Sequence, residues 1–210
     1  MSETNEVKAL KKPRARKAKK PQLPLQFPES YWVYAADLSL RRPGFCRMHI
    51  SRDGGNAVIT ELTAASIDNK KDKVKTRGQL LDEIFFGIGT YAPHNDADPS
   101  ALDPVFYVRE KAINSRGAMA EIGIFEVVGI ADFWAWQKKN SEWFEIYPVT
   151  VKKIITGDSK ATKTKVADYL KLYVGDYPFA NDDESDAASV AISWLIQCGQ
   201  IQNKLEKENS

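Results

Sequence analysis

Cysteine and histidine are scarce in this sequence of 210 residues, which contains two of each. The cysteines, Cys46 and Cys198, match no metal-binding spacing, and so few thiols in a chain of this length favour a reducing compartment. His49 and His94 lie in no motif, and we expect both to be surface or turn residues. A metal site in this chain would therefore have to be built from other ligands.

Long hydrophobic runs are also absent. No apolar stretch reaches the length of a membrane span, and the N-terminus lacks the hydrophobic core of a signal peptide. We therefore expect an intracellular, cytoplasmic protein with no membrane partner.

Positive charge, by contrast, is concentrated at one end of the chain. Residues 1–20 carry eight Lys or Arg against two Glu, a net charge of +6, whereas the remaining residues carry 22 basic and 26 acidic side chains, a net charge of −4. A basic arm on a slightly acidic body indicates a polyanionic partner, and a solubilising tail is the alternative. We expect residues 1–29 to be a disordered basic arm, residues 30–202 one folded domain, and residues 203–210 a frayed tail.

Hydrophobic periodicity predicts an α/β fold. Residues 31–37 form a nearly uncharged apolar run, which is typical of a strand buried on both faces, and Asp53-Gly-Gly-Asn56 is a hairpin signal. The predicted order is three strands (31–37, 45–50, 57–63), a helix (72–91), a strand (104–110), a helix (115–138), a strand (143–147) and three helices (148–153, 161–173, 183–201). This order predicts a mixed five-stranded sheet, three antiparallel strands and then parallel ones, with helices on both faces. It is the order of the ribonuclease H-like fold.

Acidic residues follow a pattern in these elements. Two predicted strands each end in an acid, Asp37 and Glu110, and the last helix begins with Asp183 and Asp186, which are three residues apart and therefore share a face. Each acid alone has an ordinary explanation. Asp37 suits a turn, Glu110 suits a surface strand end paired with its basic neighbours, and Asp183 suits a helix N-cap. An alternative pair on the same helix, Asp182 with Ser185 in place of Asp183 with Asp186, also stays open, although serine is the poorer metal ligand.

The four acids taken together favour a metal-dependent nuclease. A phosphodiester is anionic, and two Mg²⁺ ions about 4 Å apart neutralise its developing charge and activate a water. Mg²⁺ prefers hard oxygen ligands, so a set of carboxylates without His or Cys is suitable. We therefore expect two Mg²⁺ ions, for which Mn²⁺ can substitute, bound by Asp37, Glu110, Asp183 and Asp186.

A basic group lies between the acids in the chain. Lys152, Lys163 and Lys165 flank a glycine turn at Gly157 that precedes a predicted helix. Such an element is suited to gripping phosphate, and the alternative is an ordinary solvated helix face.

The combined motifs resemble the RuvC family of Holliday-junction resolvases. Ala36-Asp37-Leu-Ser39-x4-Gly44 is similar to the family's opening strand and turn, and Val108-x-Glu110 to its hydrophobic-x-Glu motif. The helix that follows, with Arg116 and Gly123, also resembles the family. The C-terminal part of the chain resembles the family at two places. The first is the series Pro148, Lys152, Gly157, Ala161, Lys163 and Val166, and the second is the motif Asp183-x-x-Asp186-Ala187. The resemblance covers about residues 31–200.

The resemblance implies a homodimer that binds four-way DNA junctions and nicks two strands of like polarity. Its metal ligands would be the four acids named above, and Lys152 and Lys163 match lysines implicated in DNA contact or catalysis. The full set of expected DNA-binding residues is Lys152, Lys163, Lys165, Arg116 and, in the basic arm, Lys11, Lys12, Arg14 and Arg16. A bacterial cell or a phage-infected host is the expected setting.

Two departures from the family pattern affect this reading. Leu38 replaces the proline after the first aspartate, and Ile113 stands where some members have an aromatic that acts on junction bases. Because Ile113 has no aromatic ring, the resemblance does not extend to the residue that acts on junction bases.

Other functions stay open. One alternative is a broader ribonuclease H-like nuclease acting on branched DNA, flaps or RNA–DNA hybrid, and another is a non-catalytic junction-binding module. A sugar-kinase-like ATPase half is disfavoured, because the chain lacks a second repeat and a glycine-rich phosphate loop.

Overall fold

The computed structural model of this protein describes residues 27–69, 74–94, 103–113, 118–139 and 141–205. The expected arm therefore lies almost wholly outside the described residues, as does Arg116. None of the described helices combines the length and the apolar character needed to cross a bilayer.

Ten elements form the described fold, in the order expected from the sequence. They are β1 (Ser30–Asp37), β2 (Gly44–Asp53), β3 (Asn56–Ser66), α1 (Arg77–Tyr91), β4 (Val105–Glu110), α2 (Ala118–Lys139), β5 (Phe144–Ile146), α3 (Pro148–Thr156), α4 (Lys163–Val174) and α5 (Asp182–Gln197). The predicted boundaries differ by a few residues. For example, α1 begins at Arg77 rather than at residue 72, because Thr76 and Gln79 form a capping box there.

The sheet has the strand order β3-β2-β1-β4-β5. β1 pairs antiparallel with β2 and parallel with β4, and β5 is parallel to β4. β1 is therefore the central strand, with neighbours on both sides, which explains its unbroken apolar sequence. The mixed five-stranded sheet predicted from the sequence is confirmed.

Helices cover both faces of the sheet. α3, α4 and α5 pack on one face, where their apolar side chains meet Tyr31, Val33 and Ala35 of β1. α1 and α2 pack on the other face, against Tyr34 and Ala36 of the same strand. Alternation along β1 thus divides the core into two layers, and Asp37 continues the α5-facing series.

A close approach between β2 and α5 sets the position of the last helix. A Cβ atom on Gly44 would lie 1.9 Å from the backbone oxygen of Asp183. Only glycine allows this contact, so Gly44 brings the N-terminus of α5 against the end of the sheet where β1 ends. The small residues Ala187, Ala188 and Ala191 of α5 are fully buried and keep the rest of the helix equally close.

Candidate active site

Asp37 and Glu110 lie side by side at one end of the sheet. β1 and β4 are parallel, and their register pairs Ala36 with Arg109, so the next residues along the two strands are Asp37 and Glu110. Both continue the series of side chains that faces α5. The carboxyl ends of parallel neighbouring strands therefore deliver two acids to one place, as the sequence predicts.

The N-terminus of α5 supplies further acids. Its N-cap is Asn181, whose Oδ1 accepts hydrogen bonds from the backbone of Asp183 at 3.0 Å and of Glu184 at 3.2 Å. The expectation that Asp183 is the N-cap is therefore wrong. Asn181 satisfies the backbone donors of the first turn, which leaves the side chains of Asp183 and Asp186 available for other contacts.

The neighbouring acid Glu184 has a structural role instead. It is buried and accepts hydrogen bonds from the Ala180 backbone at 2.8 Å and from Ser66 at 3.2 Å. Ser185 donates to the Asp182 carbonyl at 2.9 Å, and Asp182 itself is exposed. The alternative register of Asp182 with Ser185 thus presents no pair of side chains toward Asp37.

A pocket of about 220 Å³ brings the acids and lysines together. The two strand acids face Asp186 of α5 across it, and Lys152 of α3 and Lys163 of α4 complete its charged lining. Lys163 donates a short hydrogen bond to Asp186. Three of the four predicted ligands and two of the predicted basic residues therefore line one pocket. The rest of the lining is Pro148, Val151, Val166 and Ser189.

Negative charge in this pocket exceeds the positive charge that neutralises it. Burial, reinforced by the charges of Asp186 and Asp183, raises the pKa of Asp37 to about 7, against the opposing effect of Lys163. Burial and the charges of Asp37 and Asp186 raise the pKa of Glu110 to about 8. Burial also raises the pKa of Asp186, although its hydrogen bond from Lys163 acts in the opposite direction. Each strand acid thus favours its protonated form when nothing else neutralises it.

Asp183 lies beside this pocket and is not part of its lining. Its Oδ2 atom is 3.2 Å from Nε of Arg42, in the turn between β1 and β2, yet both buried atoms lack a hydrogen-bond partner. Arg42 also lies 3.9 Å from Asp68. The fourth predicted ligand is thus close enough to Asp37 to affect its pKa, but it is paired with an arginine that the sequence analysis did not single out.

The acids suit a divalent cation by their chemistry, although they are not preassembled around one. Among the described residues, no three His, Cys, Asp or Glu side chains converge into a ready metal-binding group. The pocket nevertheless collects carboxylates of raised pKa, and Asp183 Oδ2 is a buried acceptor without a hydrogen bond. Hard oxygen ligands with uncompensated charge are the donor set that Mg²⁺ prefers, so the residues present fit such an ion.

The basic neighbours of Glu110 are engaged on the opposite face of the sheet. Arg109 is buried and contacts Asp132 of α2 at 2.7 Å and Glu145 of β5 at 3.0 Å, and Lys111 contacts Glu145 at 2.9 Å. The ordinary explanation of Glu110, a surface acid paired with its neighbours, is therefore excluded. We call these four charged residues the Arg109 network.

The remaining predicted DNA-binding residues lie either outside the pocket lining or outside the described residues. Lys165 lies outside the pocket lining, 3.8 Å from Asp158, with its ammonium 5.8 Å from the centre of the Tyr169 ring. Arg116, Lys11, Lys12, Arg14 and Arg16 lie outside the described residues. Their roles stay predictions.

A second pocket adjoins the first and shares Asp37, Glu110 and Pro148 with it. It has a volume of about 260 Å³, and its lining includes Ile113 and Leu38, the two residues that depart from the family pattern. Both departures therefore lie next to the acids.

Arg42 is the principal residue that the sequence analysis missed. The sequence does place positive charge near the first acid, because Arg41 and Arg42 follow Asp37 within five positions. Since the pairing is with Asp183, about 140 residues further along the chain, sequence spacing alone does not reveal it.

Sequence comparison finds relatives along most of the chain. No family model matches it. It is 26% identical over 169 residues to a "Crossover junction endodeoxyribonuclease RuvC" from Sulfurovum sp. (strain NBC37-1), covering 78% of this chain and 94% of that protein. It is 27% identical over 177 residues to a protein of the same name from Wolinella succinogenes, covering 80% and 98%. The resemblance to the RuvC family is thereby confirmed.

Structure comparison finds the same fold. RuvC from Thermus thermophilus superposes with a TM-score of 0.54 at 16% identity, covering 80% of this chain and 97% of the other. A second structure, "T. thermophilus RuvC in complex with Holliday junction substrate", gives a TM-score of 0.53 at 14% identity with the same coverage. The ribonuclease H-like fold predicted from the order of the elements is confirmed.

Proposed function

We propose that this protein is a structure-selective DNA endonuclease that resolves four-way junctions by metal-dependent, paired nicking. The observation that carries the proposal is the pocket in which Asp37, Glu110 and Asp186 meet Lys152 and Lys163. The relatives named crossover junction endodeoxyribonuclease, which align along nearly their whole length, support the same activity.

The metal would be held by Asp37, Glu110 and Asp186, with Asp183 completing the set. Two Mg²⁺ ions are expected, and Mn²⁺ can substitute. A divalent cation bound there supplies neutralising charge for the phosphodiester and an activated water for its hydrolysis. The raised pKa values of Asp37 and Glu110 support this assignment, because both carboxyls are held together without enough positive charge in the protein itself.

Lys152 and Lys163 supply positive charge for the DNA backbone. Both line the acidic pocket, and Lys163 is still half exposed, with 58% of its side chain accessible. Its hydrogen bond to Asp186 holds the ammonium at the position where a phosphate would meet the acids. Lys165 and the basic arm would extend the contact outward along the DNA.

A homodimer is proposed because paired nicking needs two active sites. The described surface offers an apolar patch on α1 and α2, where the side chains of Phe86 and Trp136 are 63% and 65% exposed. Trp134, on the same helix as Trp136, is only 4% exposed and belongs to the core. Phe85 lies between these extremes, partly buried against the core.

The test is cleavage of a mobile four-way junction beside matched linear duplex, flap and RNA–DNA hybrid, each with Mg²⁺ and with EDTA. We expect paired nicks confined to the junction, on strands of like polarity, and no cutting in EDTA. Metal-dependent cutting spread over flaps or hybrids would reject junction selectivity and favour the broader nuclease. Tight junction binding without any cutting would favour a binding module.

A further inference from the structure

Two of the acids in this region have different cationic partners. Lys163 hydrogen-bonds Asp186 within the pocket. Arg42 lies outside the pocket lining, with its Nε 3.2 Å from Asp183 Oδ2. The side chains of Arg42 and Asp183 are 30% and 18% exposed, so water screens this second pair only partly.

The geometry of the Arg42 pair is that of an ion pair without a hydrogen bond. Nε of Arg42 and Oδ2 of Asp183 are both buried, and neither makes a hydrogen bond. Such an arrangement neutralises the carboxylate by charge but leaves Oδ2 without a hydrogen bond. Asp183 is therefore neutralised in the metal-free protein and still has an acceptor to offer.

Three segments meet at Arg42. Its own turn follows β1 directly after Asp37, Asp68 follows β3, and Asp183 begins α5. The backbone of the turn is fixed as well, since the Arg42 N–H donates to Ser39 Oγ at 3.0 Å. The turn and the two neighbouring carboxylates thus place the guanidinium beside Asp183.

We propose that Arg42 is a positioning residue whose guanidinium is a built-in counter-ion of Asp183 and competes with a divalent cation for that carboxylate. The proposal deepens the proposed function and rests on its metal site. Arg42 stabilises the fourth acid while the site lacks metal, and it lowers the affinity of the site for the cation. Removing its charge therefore tightens metal binding even though it loosens the position of Asp183.

The test measures Mn²⁺ binding to the full-length protein without DNA, using electron paramagnetic resonance to detect the bound ion. The proteins compared are the wild type, Arg42→Ala, Arg42→Gln and Arg42→Lys. Loss of a full charge this close to a ligand should lower the Mn²⁺ Kd by about tenfold in the Ala and Gln variants. Arg42→Lys keeps the charge and should remain within about twofold of the wild type. Arg41→Ala is the matched control, because it removes the same charge from an exposed position in the same turn.

A second measurement separates competition from simple support of the fold. At saturating Mg²⁺ we expect Arg42→Gln to nick the junction more slowly than the wild type, because Asp183 is no longer held. Tighter Mn²⁺ binding combined with slower nicking supports the proposal, since a purely structural role would weaken both. Should Arg42→Ala fail to fold, the Gln and Lys variants make the same comparison.

Two results would overturn the proposal: unchanged or weaker Mn²⁺ binding by folded Arg42→Gln, or an equal tightening in Arg41→Ala. Because the binding assay contains no DNA, its outcome is independent of the substrate. If the Arg42 effect is present and no junction is cut, the proposed function fails and the competition stands. If no variant binds Mn²⁺, both fail.

Discussion

Arg109 and Glu110 are neighbours on β4, yet they belong to two charged clusters of opposite design. Arg109 points toward α2 and pairs with Asp132 of that helix and with Glu145 of β5. Lys111 also pairs with Glu145. Glu110 points toward α5, into a pocket whose acids outweigh its lysines. One strand end thus carries a balanced network on one face of the sheet and an unbalanced cluster on the other.

The pKa values of the two clusters show the difference. In the Arg109 network, hydrogen bonds from Lys111 and Arg109 overcome burial and lower the pKa of Glu145. In the acidic pocket, burial and like charge raise the pKa of Glu110 to about 8. A balanced cluster of this kind stabilises the fold, whereas an unbalanced one costs stability and indicates a site that awaits a charged ligand.

The largest expected effect is on cleavage, and it distinguishes the two glutamates. Glu110→Gln should reduce nicking of a four-way junction by about 1,000-fold or more, because a metal ligand is lost. Junction binding should persist or improve, since repulsion of the phosphates is relieved. Glu145→Gln is the matched control on the adjoining strand and should retain nicking within a few-fold. Equal loss in both variants would show that the two clusters do not have separate roles.

The next effect is on stability, and it should be confined to the balanced network. Arg109→Met removes the buried partner of Asp132 and Glu145, but Asp132 is half exposed and Glu145 keeps Lys111, so the free energy of unfolding should fall by about 2 kcal/mol. Urea denaturation monitored by tryptophan fluorescence measures this change. A loss below about 1 kcal/mol would mean that the buried arginine contributes little to stability.

A further effect depends on pH and concerns the metal-free protein. Asp37 and Glu110 have folded pKa values of about 7 and about 8, so from about pH 5 to 8 the folded state binds more protons than the unfolded state. The free energy of unfolding should therefore fall as the pH rises over this range. Denaturation in EDTA at several pH values measures the slope.

The same experiment with Asp37→Asn is the control for this pH dependence. The variant should show a smaller slope and greater stability than the wild type at pH 8, because a carboxylate repelled by its neighbours is removed. An unchanged slope would mean that Asp37 does not titrate in this range.

The smallest effect concerns the proposed contact between the basic arm and DNA. Deleting residues 1–24 should weaken junction binding at low salt and reduce the dependence of binding on salt concentration, because fewer counterions are released. Binding titrations at several salt concentrations measure this slope. The same slope in both proteins would make the arm a solubilising tail.

Much of this architecture is readable from the sequence because it depends on local patterns. The apolar run before Asp37 predicts a central strand, and β1 has neighbours on both sides. The acids at the ends of two parallel strands and the spacing of Asp183 and Asp186 predict a cluster, of which three members line one pocket. Hydrophobic periodicity and the positions of the acids along the chain are sufficient to predict these features.

Other features depend on tertiary contacts that have no local signal. The N-cap of α5 is Asn181 rather than Asp183, and its amide also donates to Ser66, at the end of a distant strand. Arg109 pairs with residues 23 and 36 positions away and not with Glu110. Trp134 is buried against Tyr107, whereas Trp136 on the same helix is exposed. In each case the decisive partner comes from another element.

The most direct test of the central claim is a crystal structure of the full chain with Mn²⁺, using anomalous scattering to locate the metal. We predict anomalous density bound by Asp37, Glu110 and Asp186, with Lys163 moved off Asp186. Density elsewhere, or none in the pocket while Lys163 still pairs with Asp186, would contradict the claim that this unbalanced cluster is a metal-dependent nuclease site.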